Sequence, residues 1–180
     1  MQAFAATLSL CLFALLLPAP SFGQQKQPRT PDVHYAPTPQ RVVERMLRLA
    51  KVGPRDVVYD LGSGDGRVVI TAAKQFGARG VGIELDPRLI EKSRRNAREA
   101  GVSGRVTFRH EDLFEANVRD ATVVITYLLQ PMNERLRPSL WRQLRRGSRV
   151  LTHSFDMGPK WPADERLDMA GSTIYMWTVK

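Results

Sequence analysis

Apolar and polar positions alternate along the chain in a pattern that predicts strands separated by helices. Short apolar, β-branched runs predict five strands, at residues 57–61, 79–85, 105–110, 122–128 and 148–154. Apolar residues at helical spacing predict helices that begin at Gln40 and cover 67–76, 87–100 and 132–146, the last interrupted or started by Pro138. Residues 165–170 and 173–179, around Gly171-Ser172, predict a terminal hairpin.

Strands that alternate with helices pair in parallel through right-handed crossovers. The pattern therefore predicts an α/β fold of the Rossmann-like kind. We expect a seven-stranded, mostly parallel sheet with helices on both faces and an antiparallel C-terminal hairpin.

The N-terminus differs in character from the rest of the chain. Residues 3–17 are apolar and uncharged, and Ser21 and Gly23 are small residues suited to a cleavage site. We expect a signal peptide at 1–23, a Pro-rich arm at 24–39 and one domain at 40–180, and hence an exported or periplasmic protein. An uncleaved membrane anchor and a misassigned start codon, which would make the protein cytoplasmic, are the alternatives.

Composition narrows the chemistry. Cys11, the one cysteine, lies in the leader, and the chain has three histidines, so we expect neither a disulfide nor a metal site. The net charge is +9, and arginines are frequent from Arg135 to Arg149. These arginines suit a solvated helix face, or a surface for an acidic protein, anionic lipid or nucleic acid. Without interleaved aromatic residues, nucleic acid is the least favoured partner. We expect a monomer.

A glycine-rich loop follows the first strand, where open α/β sheets bind ligands. Its glycines are Gly62, Gly64 and Gly66, with Ser63 between them, and it departs from the dinucleotide pattern because Arg67 replaces the final glycine. Asp60 and Asp65 flank the loop, and carboxylates there repel a pyrophosphate. They suit a cationic ligand without phosphate, such as S-adenosylmethionine, although an ordinary tight turn is the alternative.

Two later acidic residues follow the second and third strands. Glu84 is placed to accept hydrogen bonds from ribose hydroxyls, and Asp112, followed by Leu113, to accept one from an adenine amino group. A solvated strand end and a helix cap are their alternatives. The order of loop, Glu84 and Asp112 after successive strands is more specific than any one of them.

These residues resemble the motifs of class I S-adenosylmethionine-dependent methyltransferases. The segments Tyr35-Ala36-Pro37-Thr38, His153-Ser154-Phe155 and Trp161-Pro162 are similar to the narrower group of ATP synthase c-subunit and adenine nucleotide translocase lysine methyltransferases and their bacterial relatives. The similarity spans residues 35–179. It implies S-adenosylmethionine as cofactor and a lid-like arm with Tyr35 and Thr38 near the methionine end.

The acceptor segment follows the fourth strand. It has the sequence Thr126-Tyr127-Leu128-Leu129-Gln130-Pro131, whereas adenine N6 methyltransferases have Asp/Asn-Pro-Pro-Tyr there. We expect transfer to an amine, with a protein lysine as one candidate, and name Tyr127 and Gln130 as catalytic. Asn133 is a further pocket candidate, and His153, Phe155 and Trp161 are candidates for the rim. A cofactor-binding module without catalysis and a nicotinamide dehydrogenase, which Arg67 disfavours, are the competing hypotheses.

Overall fold

The structure, a computed structural model, describes residues 35–180. The order of elements is α1 (Gln40–Leu49), β1 (Val57–Leu61), α2 (Arg67–Phe76), β2 (Arg79–Glu84), α3 (Pro87–Glu99), β3 (Val106–His110), β4 (Val123–Thr126), α4 (Gln130–Gln143), β5 (Arg149–His153), β6 (Glu165–Met169) and β7 (Ser172–Thr178). The predicted leader, residues 1–23, and most of the predicted arm lie outside the described residues.

The seven strands form one sheet in the order β3-β2-β1-β4-β5-β7-β6. Strands β1 to β5 pair in parallel, whereas β7 is antiparallel to both β5 and β6. The predicted mostly parallel sheet with a C-terminal antiparallel hairpin is confirmed. Strand β1 has β2 on one side and β4 on the other, so the order in which strands are added reverses at β1. At such a point, the carboxyl ends of the adjacent parallel strands form a crevice.

Successive residues of a strand point to opposite faces, so the sheet has two cores. On one face, α1 and α2 pack on Val58, Ile125 and Leu151. On the other, α4 contributes Leu136 and Leu140 beside Tyr59. Helices therefore cover both faces, as predicted.

Helix α4 differs from its prediction. It begins at Gln130 rather than residue 132 and continues through Pro138, so the expected interruption or start at that proline is wrong. A proline in a helix lacks one N–H donor, and the apolar contacts of Leu136 and Leu140 offset that loss here. Strand β4 is also shorter than predicted, ending at Thr126, so Tyr127 belongs to the loop beyond it. Among residues 35–180, no helix combines the length and apolar character needed to cross a bilayer.

Candidate active site

The loop between β1 and α2 forms the floor of the crevice. Gly62, Gly64 and Gly66 all have positive φ, at 85°, 53° and 79°, a conformation that glycine adopts without steric cost. The ring of Tyr35 packs so closely on Gly64 that a Cβ there would overlap it. Gly66 is the N-cap of α2 and packs against Phe108, so its role is to position the helix.

The backbone N–H groups of this loop are already bonded within the protein. Gly62 and Ser63 both donate to the carbonyl of Ile83 at 2.9 Å. Gly64 donates to a carboxylate oxygen of Glu84 at 2.9 Å, and Gly66 donates to the carbonyl of Ser63 at 2.8 Å. Loops that bind pyrophosphate leave such groups free for phosphate oxygens. This loop therefore favours a ligand that is bound by side chains, and the nicotinamide hypothesis loses its main support.

A cavity of about 500 Å³ opens above the loop. Most of the predicted cofactor residues line it, namely Tyr35, Thr38, Asp60, Gly62, Ser63, Gly64, Asp65 and Glu84. A smaller recess of about 60 Å³ shares Gly62, Glu84 and Leu128 with this cavity and contains Asp112 and Leu113. Apart from Gly66, the structure brings all the predicted cofactor residues to one continuous crevice.

Asp60 is the buried negative charge of the cavity. It lies near the carboxyl end of β1 and is 5% exposed. Burial raises the pKa of Asp60 well above its ordinary value, and the nearby carboxylates of Glu84 and Asp65 raise it further. Beside it, the buried hydroxyl of Ser63 has no hydrogen-bond partner within residues 35–180. A cationic ligand with hydrogen-bonding groups matches both features, so the residues present fit S-adenosylmethionine.

Asp65, in contrast, is already paired. Arg67 donates from Nε to Oδ1 at 2.9 Å and from Nη2 to Oδ2 at 2.7 Å. Although burial opposes it, this pairing holds the pKa of Asp65 below its usual range. The sequence predicted that the carboxylates of both loop aspartates face the positive charge of the ligand. In the structure, the carboxylate of Asp65 is instead paired with Arg67. The electrostatic preference for a cation thus depends on Asp60.

Arg67 also holds the arm against the loop. Its Nη1 donates to the carbonyl of Thr38 at 3.1 Å, so one guanidinium contacts both Asp65 and the arm. Burial and the nearby carboxylate of Asp65 raise the pKa of the Tyr35 hydroxyl. Sequence reasoning used Arg67 only as a departure from the dinucleotide pattern. Its position two residues after Asp65, an arrangement that permits a bidentate pair, was the available signal.

The later acidic residues follow β2 and β3, as predicted. Besides the bond from Gly64, Glu84 accepts N–H groups of Leu85 and Asp86, at 2.8 and 2.9 Å, so its carboxylate is held rigidly at the junction of cavity and recess. Oε1 accepts the bonds from Leu85 and Asp86, whereas Oε2 accepts one from Gly64 and so keeps a lone pair for a ligand hydroxyl. Asp112 accepts the N–H of Phe114 at 3.0 Å, so it stabilises a turn and also lines the recess.

The segment after β4 forms the far wall of the cavity. Ile125, Tyr127 and Leu128 line it. Gln130, predicted as catalytic, is exposed, donates to Glu134 at 3.1 Å, and is not part of the cavity wall. Asn133 is fully buried and donates to the carbonyls of Leu128, Phe155 and Asp156, which fixes the loops after β4 and β5 together.

The three residues expected at the rim lie elsewhere. His153 is 3% exposed and sits behind the cavity wall. Phe155 contributes its carbonyl to Asn133, and Trp161 packs between Trp141 and Trp177 at centroid distances of 5.4 and 5.7 Å. None of the three lines the cavity, so the structure does not bring them to its wall.

Comparison with known proteins agrees with this geometry. Residues 60–165 match the model of the ANTKMT methyltransferase domain. A protein-lysine N-methyltransferase of Saccharolobus islandicus is 40% identical over 83% of this chain and 95% of its own length. The mouse adenine nucleotide translocase lysine N-methyltransferase is 37% identical, and the chain spans 63% of its length.

A solved structure extends the comparison to the cofactor. A protein from Salinibacter ruber, described as an RNA methyltransferase and bound to S-adenosyl-L-homocysteine, is 57% identical, with a TM-score of 0.79 over 80% of this chain and 94% of its own. The crevice, its buried Asp60 and these likenesses agree. The chain belongs to the ANTKMT methyltransferase domain family and is an S-adenosylmethionine-dependent methyltransferase.

Proposed function

We propose that this protein methylates the ε-amine of a lysine side chain in another protein. Two relatives support the proposal, because the archaeal and mouse proteins are both named as lysine N-methyltransferases. The archaeal relative is matched over 95% of its length, so the likeness includes the acceptor end as well as the cofactor loop.

The observation that carries the proposal is the apolar acceptor wall. Ile125 and Leu128 are 2% and 4% exposed, and Tyr127, in the loop just after β4, lines the same cavity. None of the three has a carboxylate or carboxamide with which to read the edge of a nucleic-acid base. An apolar wall instead disfavours a charged amine and so lowers its pKa.

Deprotonation of the acceptor is the main demand on this wall. A lysine with an ordinary pKa of about 10.4 needs about 4–5 kcal/mol to become neutral at pH 7. Burial against Tyr127 and Leu128 supplies part of this, because a charged amine loses hydration there. Side chains that align the amine with the methyl group supply much of the remaining acceleration.

The cofactor end is built for S-adenosylmethionine, which supplies a methyl group activated on a sulfonium. Asp60 would provide negative charge for its cationic groups, Glu84 would accept from its ribose hydroxyls, and Asp112 in the recess would accept from its adenine amino group. Arg67 holds the arm over the loop and so limits access of water to the same cavity.

RNA methylation is the second candidate, because the Salinibacter ruber protein is described as an RNA methyltransferase and is 57% identical. The net charge of +9 suits an anionic partner as well. The acceptor wall favours lysine over RNA. The two candidates can be distinguished because one predicts labelled protein and the other labelled RNA.

The test uses radiolabelled S-adenosylmethionine and three acceptor pools from one cell extract. These are RNase-treated protein, the same protein with its lysines blocked by acetylation, and purified RNA. We expect label in the first pool only, and none with the Glu84→Ala variant, which lacks the ribose contact. Label in RNA, or in protein whose lysines are blocked, would contradict a lysine acceptor.

Export of the protein is proposed from the sequence alone, because residues 1–23 lie outside the described part. Mass spectrometry of the protein recovered from its native host is the test. We expect an N-terminus at Gln24, whereas an intact Met1 would contradict cleavage.

A further inference from the structure

His153 contacts both walls of the cavity without lining it. It ends β5 and is 3% exposed. Its Nδ1 lies 3.4 Å from Oγ1 of Thr38 in the arm, and its ring centroid lies 4.0 Å from that of Tyr127 in the acceptor wall. Thr38 and Tyr127 both line the cavity.

The ring is also held from behind. Its Nε2 lies 3.0 Å from Oγ of Ser172, the first residue of β7. The chain turns sharply after it, since Ser154 has a left-handed φ of 65°, which few non-glycine residues adopt. His153 is thus fixed to the antiparallel hairpin, and the arm and acceptor wall are fixed to His153.

The partners of the ring suit a neutral imidazole. A neutral ring has one donor and one acceptor nitrogen, and a hydroxyl satisfies either. Burial lowers the pKa of His153, and its two polar contacts are hydroxyls rather than carboxylates, so no partner here stabilises an imidazolium. A general base needs to reach the acceptor amine, and His153 does not line the cavity.

We propose that His153 is a positioning residue that sets the spacing between the arm and the acceptor wall. Because it links Thr38 to Tyr127, a change at one wall reaches the other through its ring. The contact with Thr38 is long for a hydrogen bond, and contacts of this kind tighten when a ligand is bound. This inference rests on one part of the proposed function, namely that the cavity binds S-adenosylmethionine and its product S-adenosyl-L-homocysteine. It does not depend on the identity of the methyl acceptor.

The test is a mutant cycle in two backgrounds, with the Kd of S-adenosyl-L-homocysteine measured by calorimetry. Thr38→Val and Tyr127→Leu are made singly and together, first in the parent and then in His153→Phe. Phenylalanine keeps the ring against Tyr127 but removes the polar link to Thr38. Residues that share a network couple, whereas independent ones do not.

In the parent background, we expect the change in Kd of the double variant to differ from the product of the two single-variant changes by about threefold to tenfold. In the His153→Phe background, we expect the two effects to multiply without interaction. Thr38→Ser, which keeps the hydroxyl, is the control and should preserve the coupling. If His153→Phe does not fold, His153→Leu replaces it, because leucine has no polar atom with which to contact Thr38.

Coupling that persists without His153, or its absence in the parent, would overturn the proposal. A purely structural histidine would change all the Kd values by a common factor and leave the coupling intact. Since the readout needs no methyl acceptor, failure of the lysine assay would bear on the proposed function and leave this result standing.

Discussion

The two ends of the cavity are built in different ways. At the cofactor end, the residues that matter come from short segments that follow β1 and β2, and backbone N–H groups hold them in place, as with Gly64 and Glu84. At the acceptor end, Tyr127 packs on His153 of β5, and Asn133 of α4 donates to the carbonyl of Leu128. The first end is local in sequence, and the second is assembled by the tertiary fold.

This difference separates two kinds of failure. Damage at the cofactor end should appear as weaker binding of S-adenosylmethionine. Damage at the acceptor end should mainly lower the rate of transfer, because alignment of the two reactants is lost. It should reach cofactor binding only through the contacts of His153 with Tyr127 and Thr38. The predictions below test this separation, from the largest expected effect to the smallest.

Asp60→Asn should weaken S-adenosylmethionine binding by about a hundredfold. Hydrogen bonds to charged groups contribute about 1.5–3 kcal/mol, and the substitution removes the buried charge while keeping the shape. The same change should raise the melting temperature of the free protein, because it relieves repulsion from Glu84. Calorimetry and thermal unfolding measure the two effects.

Asp164→Asn is the matched control for Asp60. Asp164 is an exposed aspartate that pairs with Lys180 away from the cavity, so its loss should leave cofactor affinity unchanged. Unaltered affinity in Asp60→Asn would show that this carboxylate is not the ligand's counter-charge.

Asn133→Ala should lower kcat by about thirtyfold with little change in the affinity for S-adenosylmethionine. The carboxamide fixes the loops after β4 and β5, and a misplacement of about 1 Å costs up to a hundredfold in rate. Steady-state kinetics with the acceptor is the measurement. Asn117→Ala, at an exposed position, is the control. An equal loss of cofactor affinity would remove the distinction between the two ends.

The affinity for S-adenosylmethionine should rise with pH, by at most about tenfold per pH unit. Because burial raises the pKa of Asp60, its carboxyl keeps a proton above the ordinary value of 3.8, and the cationic cofactor must displace that proton. The dependence ends once pH exceeds the raised pKa. Unfolding free energy moves in the opposite direction, since ionising Asp60 destabilises the free protein as pH rises through that window.

Calorimetry at several pH values, in buffers of different ionisation enthalpy, measures the proton released. Asp60→Asn should abolish the pH dependence. A dependence that survives in the variant would assign the proton to another group.

Arg67→Lys should weaken cofactor binding by about fivefold. Lysine keeps the charge but cannot contact both oxygens of Asp65 and the carbonyl of Thr38 at once. Arg166→Lys is the matched control, because Arg166 contacts Asp168 in an exposed pair on β6. Equal effects of the two substitutions would show that the arm is held without Arg67.

The sequence was most informative at the cofactor end, for a physical reason. Gly62, Gly64, Asp60 and Glu84 lie within or just beyond strands whose carboxyl ends meet in any sheet of this topology. Their positions therefore follow from element order alone. What sequence reasoning missed there was the pairing of Asp65 with Arg67, because it treated both loop aspartates as free.

The acceptor end was harder to predict. Gln130 immediately follows the predicted strand, yet the helix begins there and turns its side chain toward Glu134. His153 was a candidate for the rim, but the antiparallel β7 packs Ser172 against it and it is buried. Such contacts join residues that are far apart in sequence, so periodicity does not reveal them.

The hydrogen bonds from the glycine loop to Ile83 and Glu84 have one more consequence. A loop that satisfies its own N–H groups keeps its shape between turnovers, so spent cofactor can leave and fresh cofactor can enter without any rebuilding of the floor. Little conformational entropy is then lost on each arrival. We therefore expect exchange at this end to depend on the contact between Arg67 and Thr38 above the loop.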